Sequence, residues 1–200
     1  ITGHREKSVP SYKENPIYKD ITLSAVKLML YRYIDMAVER GYTDFFSGLA
    51  VGTDLWAAEY IIKKRRRNGK LRLIGVMPYL RHSEFFPQSY REVLCRVEGE
   101  ADRLLVVNRN PNVTYRPSSQ LYRDRNYFMV DNSSAVIAFL NRDSIASGTG
   151  QTVNYANRRG RRVCRFGIED VFGIIDETGA DIRKIGREIQ FLDNAFDLFC

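Results

Sequence analysis

Near-continuous apolar runs of strand length, separated by stretches of helical periodicity, constrain this chain more than any other feature. Leu71–Met77 and Ser134–Leu140 are such runs, and strands of that kind belong to parallel sheets covered on both faces. Further strands are predicted at Thr43–Ser47, Arg103–Val107 and Arg161–Phe166. Helices are predicted over Asp20–Arg40, Thr53–Asn68, Pro87–Glu98 and Ser119–Val130, with another ending near Arg159. In the first of these, Leu23, Val26, Leu30, Ile34 and Val38 recur at steps of three or four, with Asp20 as N-cap and Gly41 just past the end. The regular alternation of strand and helix predicts an α/β fold with a doubly wound, mostly parallel sheet flanked by helices. The tail from Asp181 to Leu198 places Ile182, Ile185, Ile189, Leu192 and Phe196 at helical spacing, so an amphipathic C-terminal helix is expected to dock on the body. Ile1-Thr2 reads as the end of a strand and Gly3-His4-Arg5 as the loop after it. The first strand of a doubly wound sheet is usually central, so residues before Ile1, or a shortened strand, are expected.

Two glycine-rich turns follow strands and open helices: Ser47-Gly48-Leu49-Ala50-Val51-Gly52-Thr53-Asp54 and Ser147-Gly148-Thr149-Gly150-Gln151-Thr152. A helix start leaves backbone N–H groups without intrahelical partners at the positive end of the macrodipole, where phosphate binds. The pair predicts two phosphate-binding helix starts converging on one nucleotide-like ligand. Neither turn matches GxxxxGK[ST] or a clean GxGxxG, which disfavours a P-loop ATPase and a dinucleotide oxidoreductase. The strand ends also deliver Gly3-His4-Arg5, Pro78-Tyr79 and the polar 108–118 loop to the same edge of the sheet. Arg5 is a candidate phosphate clamp, because a guanidinium takes phosphate bidentately. His4 either lines the site or is a hydrogen-bonded structural histidine. Asp54 is a candidate for ribose hydroxyls. Arg125 and Asn126 either reach the ligand or lie on a charged solvent face. Trp56 and Tyr79 are candidates for stacking on a base, although Trp56 groups with positions 60 and 61 as a core residue. Candidate catalytic carboxylates are Asp54 and Glu59.

The formal charge of +7 favours anionic partners. Much of the excess lies in Lys63-Lys64-Arg65-Arg66-Arg67 and Arg158-Arg159-Gly160-Arg161-Arg162, both at predicted helix C-termini. Cations there complement the helix dipole, and the alternative is a single-stranded nucleic-acid footprint. Cys95, Cys164 and Cys200 are scattered and form no CxxC pair, which argues for reduced thiols and against a metal site. With no leader pattern at Ile1 and no apolar stretch of about 20 residues, a cytoplasmic protein without membrane association is expected.

Five ordered segments resemble a known family: Thr2-Gly3-His4-Arg5, residues 47–59, Pro78-Tyr79, Arg125-Asn126-Tyr127-Phe128-Met129-Val130-Asp131, and residues 147–156. Together they resemble the YpsA-like branch of the SLOG superfamily, also described as a domain of unknown function. The resemblance implies a Rossmann-like domain over residues 1–166 that binds a nucleotide-derived ligand, with 167–200 as a C-terminal extension. Relatives include cytokinin-activating phosphoribohydrolases, DprA-type DNA-processing proteins and antiphage sensor domains for ADP-ribose-type signals. The resemblance directs Gly3, Arg5, Ser47, Gly48, Gly52, Asp54, Gly148, Thr149 and Thr152 toward the ligand. The phosphoribohydrolase pattern PGGxGTxxE ends in a catalytic glutamate, and Asn154 stands at that place here. An amide supplies neither a base nor a carboxylate for an oxocarbenium ion. Binding or sensing of a nucleotide-derived molecule, such as an ADP-ribose derivative, therefore leads, with an N-glycosidase or DprA-like DNA binding as alternatives. A homodimer through exposed helices is a further expectation.

Overall fold

The computed structural model describes residues 1–110 and 118–192. Its elements alternate as β1 (Thr2–Gly3), α1 (Lys19–Glu39), β2 (Asp44–Ser47), α2 (Thr53–Arg65), β3 (Arg72–Tyr79), α3 (Gln88–Glu100), β4 (Arg103–Asn108), α4 (Ser119–Asp131), β5 (Ala135–Phe139), α5 (Gly148–Arg158), β6 (Arg162–Phe166), α6 (Ile168–Thr178) and α7 (Ile182–Gln190). Among the described residues all strand pairings are parallel, in two three-stranded sets ordered β1-β5-β6 and β2-β3-β4. The Ile1 nitrogen donates to the Phe46 carbonyl at 2.9 Å and ties β1 to β2. β1 thus lies between β2 and β5, where the chain order reverses, which is the switch point of a doubly wound sheet. The fold is α/β and Rossmann-like, as the alternating pattern predicts.

Burial explains the elements. α1 turns Ala25, Val26, Met29, Leu30, Tyr33, Ile34 and Ala37 into the core, and Leu30 and Ile34 have no exposed surface. Burying a side chain of that size contributes about 1.5–3 kcal/mol before entropy is counted. Trp56 is a core residue at 6% exposure, with the Lys27 ammonium 4.9 Å from its ring centroid. β3 runs through Pro78 to Tyr79 rather than stopping at the proline. The reason is register: β2 ends opposite Gly75, and β4 pairs with Met77 and Tyr79, so no ladder bond needs the missing N–H of Pro78.

α6 is absent from the sequence reading. It buries Val171, Ile174 and Ile175, and it packs with α7 against α1. α7 covers the first part of the predicted tail helix, with Ile185 and Ile189 buried; Phe196 and Cys200 lie outside the described residues, as does most of the 108–118 loop. The basic clusters sit at the ends of α2 and α5 against acidic partners. Lys64 meets Asp35 at 2.7 Å, Arg65 meets Asp102 at 2.5 Å and Arg159 meets Asp131 at 2.7 Å. Among the described residues, no cluster of metal-ligating side chains occurs and no helix is long and apolar enough to cross a membrane.

Candidate functional site

The loop after β1 lies across the start of α2. The His4 carbonyl accepts from the Thr53 amide at 3.3 Å and the Thr53 hydroxyl at 2.9 Å. That approach requires glycine at two places. A Cβ on Gly3 would stand 2.5 Å from Thr53 Oγ1. Gly52 has φ +101°, and a Cβ there would stand 2.8 Å from both the His4 carbonyl and the Glu6 nitrogen. Ser47 is fully buried, donating to the Asp54 carbonyl at 2.9 Å and accepting from the Leu49 amide at 3.2 Å. The first glycine turn therefore packs against the protein's own backbone, and Ser47, Gly52 and Thr53 are absent from the cleft lining. Two open helix starts are expected from sequence; at α2 the His4 carbonyl takes the Thr53 amide, and the α5 start is the more open of the two.

The cleft floor is a buried ion pair. Arg125, from α4, donates through Nη1 to the Gly48 carbonyl and approaches Asp54 Oδ2 at 3.9 Å. Asp54 Oδ2 also accepts from the Ala50 amide at 3.4 Å. Gly48 has no room for a side chain, because a Cβ would overlap the Arg125 guanidinium and stand 2.6 Å from Asp54 Oδ2. Burial pushes the Asp54 carboxyl above the usual carboxylate range, with the Arg125 guanidinium the main opposing influence. Burial pulls Arg125 down in turn, opposed mainly by Asp54. Arg125 Nε is buried without a hydrogen-bond partner.

The opposite wall is the start of α5. Ser147 caps it by accepting from the Gly150 amide at 3.1 Å. No acceptor among the described residues reaches the amides of Gly148 and Thr149, and both residues line the cleft. A Cβ on Gly148 would meet open space, whereas one on Gly150 would overlap the Ile145 carbonyl. Gly150 thus serves packing, and Gly148 leaves the cleft open. Thr152 donates to the Gly148 carbonyl at 2.8 Å and accepts from Asn126 Nδ2 at 2.9 Å, which fixes α4 against α5.

Two adjoining chambers form the cleft. The inner one, about 280 Å³, is bounded by the β1 loop, Asp54, Arg125 and the α5 start. The outer one, about 380 Å³, lies between α4 and α5. Arg5, Tyr122, Asn126 and Gly148 belong to both. Arg5 is exposed, and its guanidinium has no ion-pair or hydrogen-bond partner among the described residues. His4 lines the inner chamber, with Nε2 accepting from the Asn141 amide at 3.1 Å and its ring edge-on to Phe139. Burial holds its pKa below the ordinary histidine value, opposed by the Glu169 carboxylate.

Other candidates lie elsewhere. Glu59 pairs with Arg96 on α3 and lines neither chamber. Pro78 and Tyr79 are buried beneath the cleft, and a 3.0 Å bond between the hydroxyls of Tyr79 and Tyr122 links Tyr79 to it. Asn154 is exposed on α5 and lines neither chamber. Sequence reasoning missed Tyr122, Arg123, Tyr127, Ser119 and Gln151 as cleft residues. Four of these lie on α4 at positions 119, 122, 123 and 127, on one helical face with Asn126, so a polar stripe at that spacing was the available signal; Gln151 lies opposite on α5.

His82, also unforeseen, stands behind the site at 2% exposure, edge-on to Tyr79 and Phe86. Its ring nitrogens are buried, with a weak backbone contact to Leu49 and no other hydrogen-bond partner among the described residues. Burial, then the Arg125 charge, pull it from 6.5 to about 4, with the Leu49 backbone working against them. A histidine depressed in the native state takes up its proton first when unfolded. Its stabilising contribution is therefore complete above pH 6.5 and is lost as pH falls through about 4. Chemical denaturation across that window is expected to show a loss of about 3 kcal/mol from this group. His82→Phe should flatten the slope, and an unchanged slope in the variant would contradict the assignment.

The family model described as the YspA SLOG family (YpsA) matches residues 1–164. The chain belongs to this family. A UPF0398 protein of Halalkalibacterium halodurans is 23% identical over 147 residues, covering 74% of each chain. A UPF0398 protein of Bacillus velezensis is 24% identical over 139 residues, covering 68% of this chain and 71% of the other. The matched stretch contains the whole cleft and stops before α6. SLOG membership points to nucleotide-related binding or processing.

Proposed function

We propose that the cleft binds or senses a nucleotide-derived ligand, an ADP-ribose derivative or another phosphoribosyl compound, without turning it over. One observation carries the reading. An unpartnered guanidinium, Arg5, shares a cleft with two unpartnered helix-start amides, Gly148 and Thr149. A phosphate satisfies all three at once, by charge-assisted hydrogen bonds to the guanidinium and dipole-aligned bonds to the amides. Asn126 and Asp54 stand beside that position with groups suited to sugar hydroxyls.

Calorimetric titration with AMP, ADP-ribose and ribose 5-phosphate tests this directly. Arg5→Ala is expected to weaken phosphate-bearing ligands by about 1.5–3 kcal/mol, roughly ten- to a hundredfold. Because Arg5 is exposed and unpartnered, the variant should melt with the parent. Absence of binding by every phosphorylated compound would remove the proposal.

A second reading, hydrolysis of an N-glycosidic bond, draws on Asp54, the sole carboxylate among the described cleft-lining residues. Its raised pKa suits a proton donor. Against it stands the lack of a second acid: Glu59 faces α3, and Asn154 stands where the phosphoribohydrolase pattern has its glutamate. Incubation with nucleoside monophosphates and NAD, followed by assay for free base, separates the two readings. Release of base that Asp54→Asn abolishes would establish the enzyme.

A further inference from the structure

A neutral imidazole has one donor and one acceptor nitrogen, and the partner of one decides the state of the other. In His4 a main-chain group makes that choice. The Asn141 amide, an obligatory donor, points at Nε2 from 3.1 Å. Nε2 therefore holds a lone pair, and the ring proton sits on Nδ1. The amide is fixed in place, because Asn141 Oδ1 accepts from the Ile168 amide at the start of α6 at 3.0 Å. The ring has little freedom to turn. The His4 carbonyl takes two bonds from Thr53, and the ring stands edge-on to Phe139 with centroids 5.3 Å apart. Nδ1 has no hydrogen-bond partner among the described residues, yet it is not sealed in the interior as the His82 nitrogens are. His4 is only 9% exposed, and the space it lines is the inner chamber. The Glu169 carboxylate, whose charge reaches His4, is occupied by Arg142 at 3.3 Å and Arg165 at 2.6 Å.

Resting on the reading that a nucleotide-derived ligand enters the cleft, we propose that His4 determines specificity there: locked in the Nδ1-protonated tautomer, it donates one hydrogen bond from Nδ1 to an acceptor oxygen of the ligand. A donor fixed in a nearly buried ring rejects a ligand with an apolar or donor group at that place, because the N–H is then left unpaired. His4 is also no base for hydrolysis, since the atom facing the chamber carries a proton rather than a lone pair.

Long-range ¹H–¹⁵N spectra of the free protein at pH 7 read the tautomer, and His4→Phe identifies which of the two histidines gives each signal. His4 should show a protonated Nδ1 and an unprotonated Nε2, the tautomer that is minor in free histidine. Calorimetry with ribose 5-phosphate and with inorganic phosphate then compares the parent, His4→Phe and His4→Asn. His4→Phe removes the donor and should weaken ribose 5-phosphate by at least about fivefold. His4→Asn returns an N–H donor at the δ position without reaching the Asn141 amide, and should recover most of that affinity. A matching loss for inorganic phosphate places the acceptor on the phosphate, and a loss confined to ribose 5-phosphate places it on the sugar. A protonated Nε2 in the parent would overturn the assignment while leaving the nucleotide reading intact. So would His4→Phe binding as well as the parent, or His4→Asn binding as weakly as His4→Phe, which would make His4 a structural residue. Binding of neither compound by the parent would overturn both readings.

Discussion

Gly52→Ala is expected to destabilise the protein by about 4 kcal/mol, a large fraction of the roughly 5–15 kcal/mol that holds a single domain folded. Two independent penalties act at this position. The backbone holds φ +101° and ψ −130°, a region that L-residues rarely enter, at a cost of about 1–3 kcal/mol. The added methyl would also meet the His4 carbonyl and the Glu6 nitrogen at 2.8 Å, both backbone atoms that cannot rotate away. Relief requires lifting the β1 loop, which breaks both bonds from Thr53 to the His4 carbonyl and displaces Arg5. Gly148→Ala provides the contrast, since its Cβ meets open space and its φ is not positive. That variant should stay within about 0.5 kcal/mol of the parent in urea denaturation, as surface changes usually do, while crowding the cleft. If Gly52→Ala unfolds at the parent's midpoint, the closure of the β1 loop over α2 is wrong.

The second large effect belongs to Asp54. Asp54→Ala leaves the Arg125 guanidinium, 5% exposed, without its carboxylate. Removing one partner of a buried pair costs about 3–5 kcal/mol, most of it the penalty of stranding the remaining charge. The Gly48 carbonyl still accepts from Arg125, but it carries no charge to balance the guanidinium. Adding Arg125→Met to Asp54→Ala should recover much of the loss, because no charge is then left buried. A double-mutant cycle reads this as strong coupling. Additive losses would show that the two side chains act independently and that the cleft floor is not an ion pair.

Much of the architecture was legible in the sequence because continuous apolar runs and helical stripes report burial directly. The Leu71–Met77 run became the interior of β3, and the stripe through Val26, Leu30 and Ile34 became the inward face of α1. The site was legible only in part. A glycine followed by a helix looks the same whether its amides await an anion or its missing side chain admits another loop. Gly48, Gly52 and Gly150 turned out to serve internal packing, while Gly148 leaves space in the cleft. Only three-dimensional proximity, here of the His4 carbonyl to Thr53, decides between these uses. Glu59 was misleading for a similar reason. It lies five positions beyond Asp54, more than one helical turn, which rotates it toward Arg96 on α3. Arg123 and Tyr122 escaped notice because a charged or aromatic side chain on a half-exposed helix is ordinary by itself. Their significance comes from sharing one face of α4 with the start of α5 opposite.

The proposed phosphate site consists of the free amides of Gly148 and Thr149 together with Arg5. Amide proton shifts of the ¹⁵N-labelled protein during titration with ADP-ribose test it most directly. The Gly148 and Thr149 resonances should move downfield with a common saturation curve, and Arg5→Ala should shift that curve to at least about tenfold higher ligand. Saturable binding that leaves both amide resonances in place would contradict it.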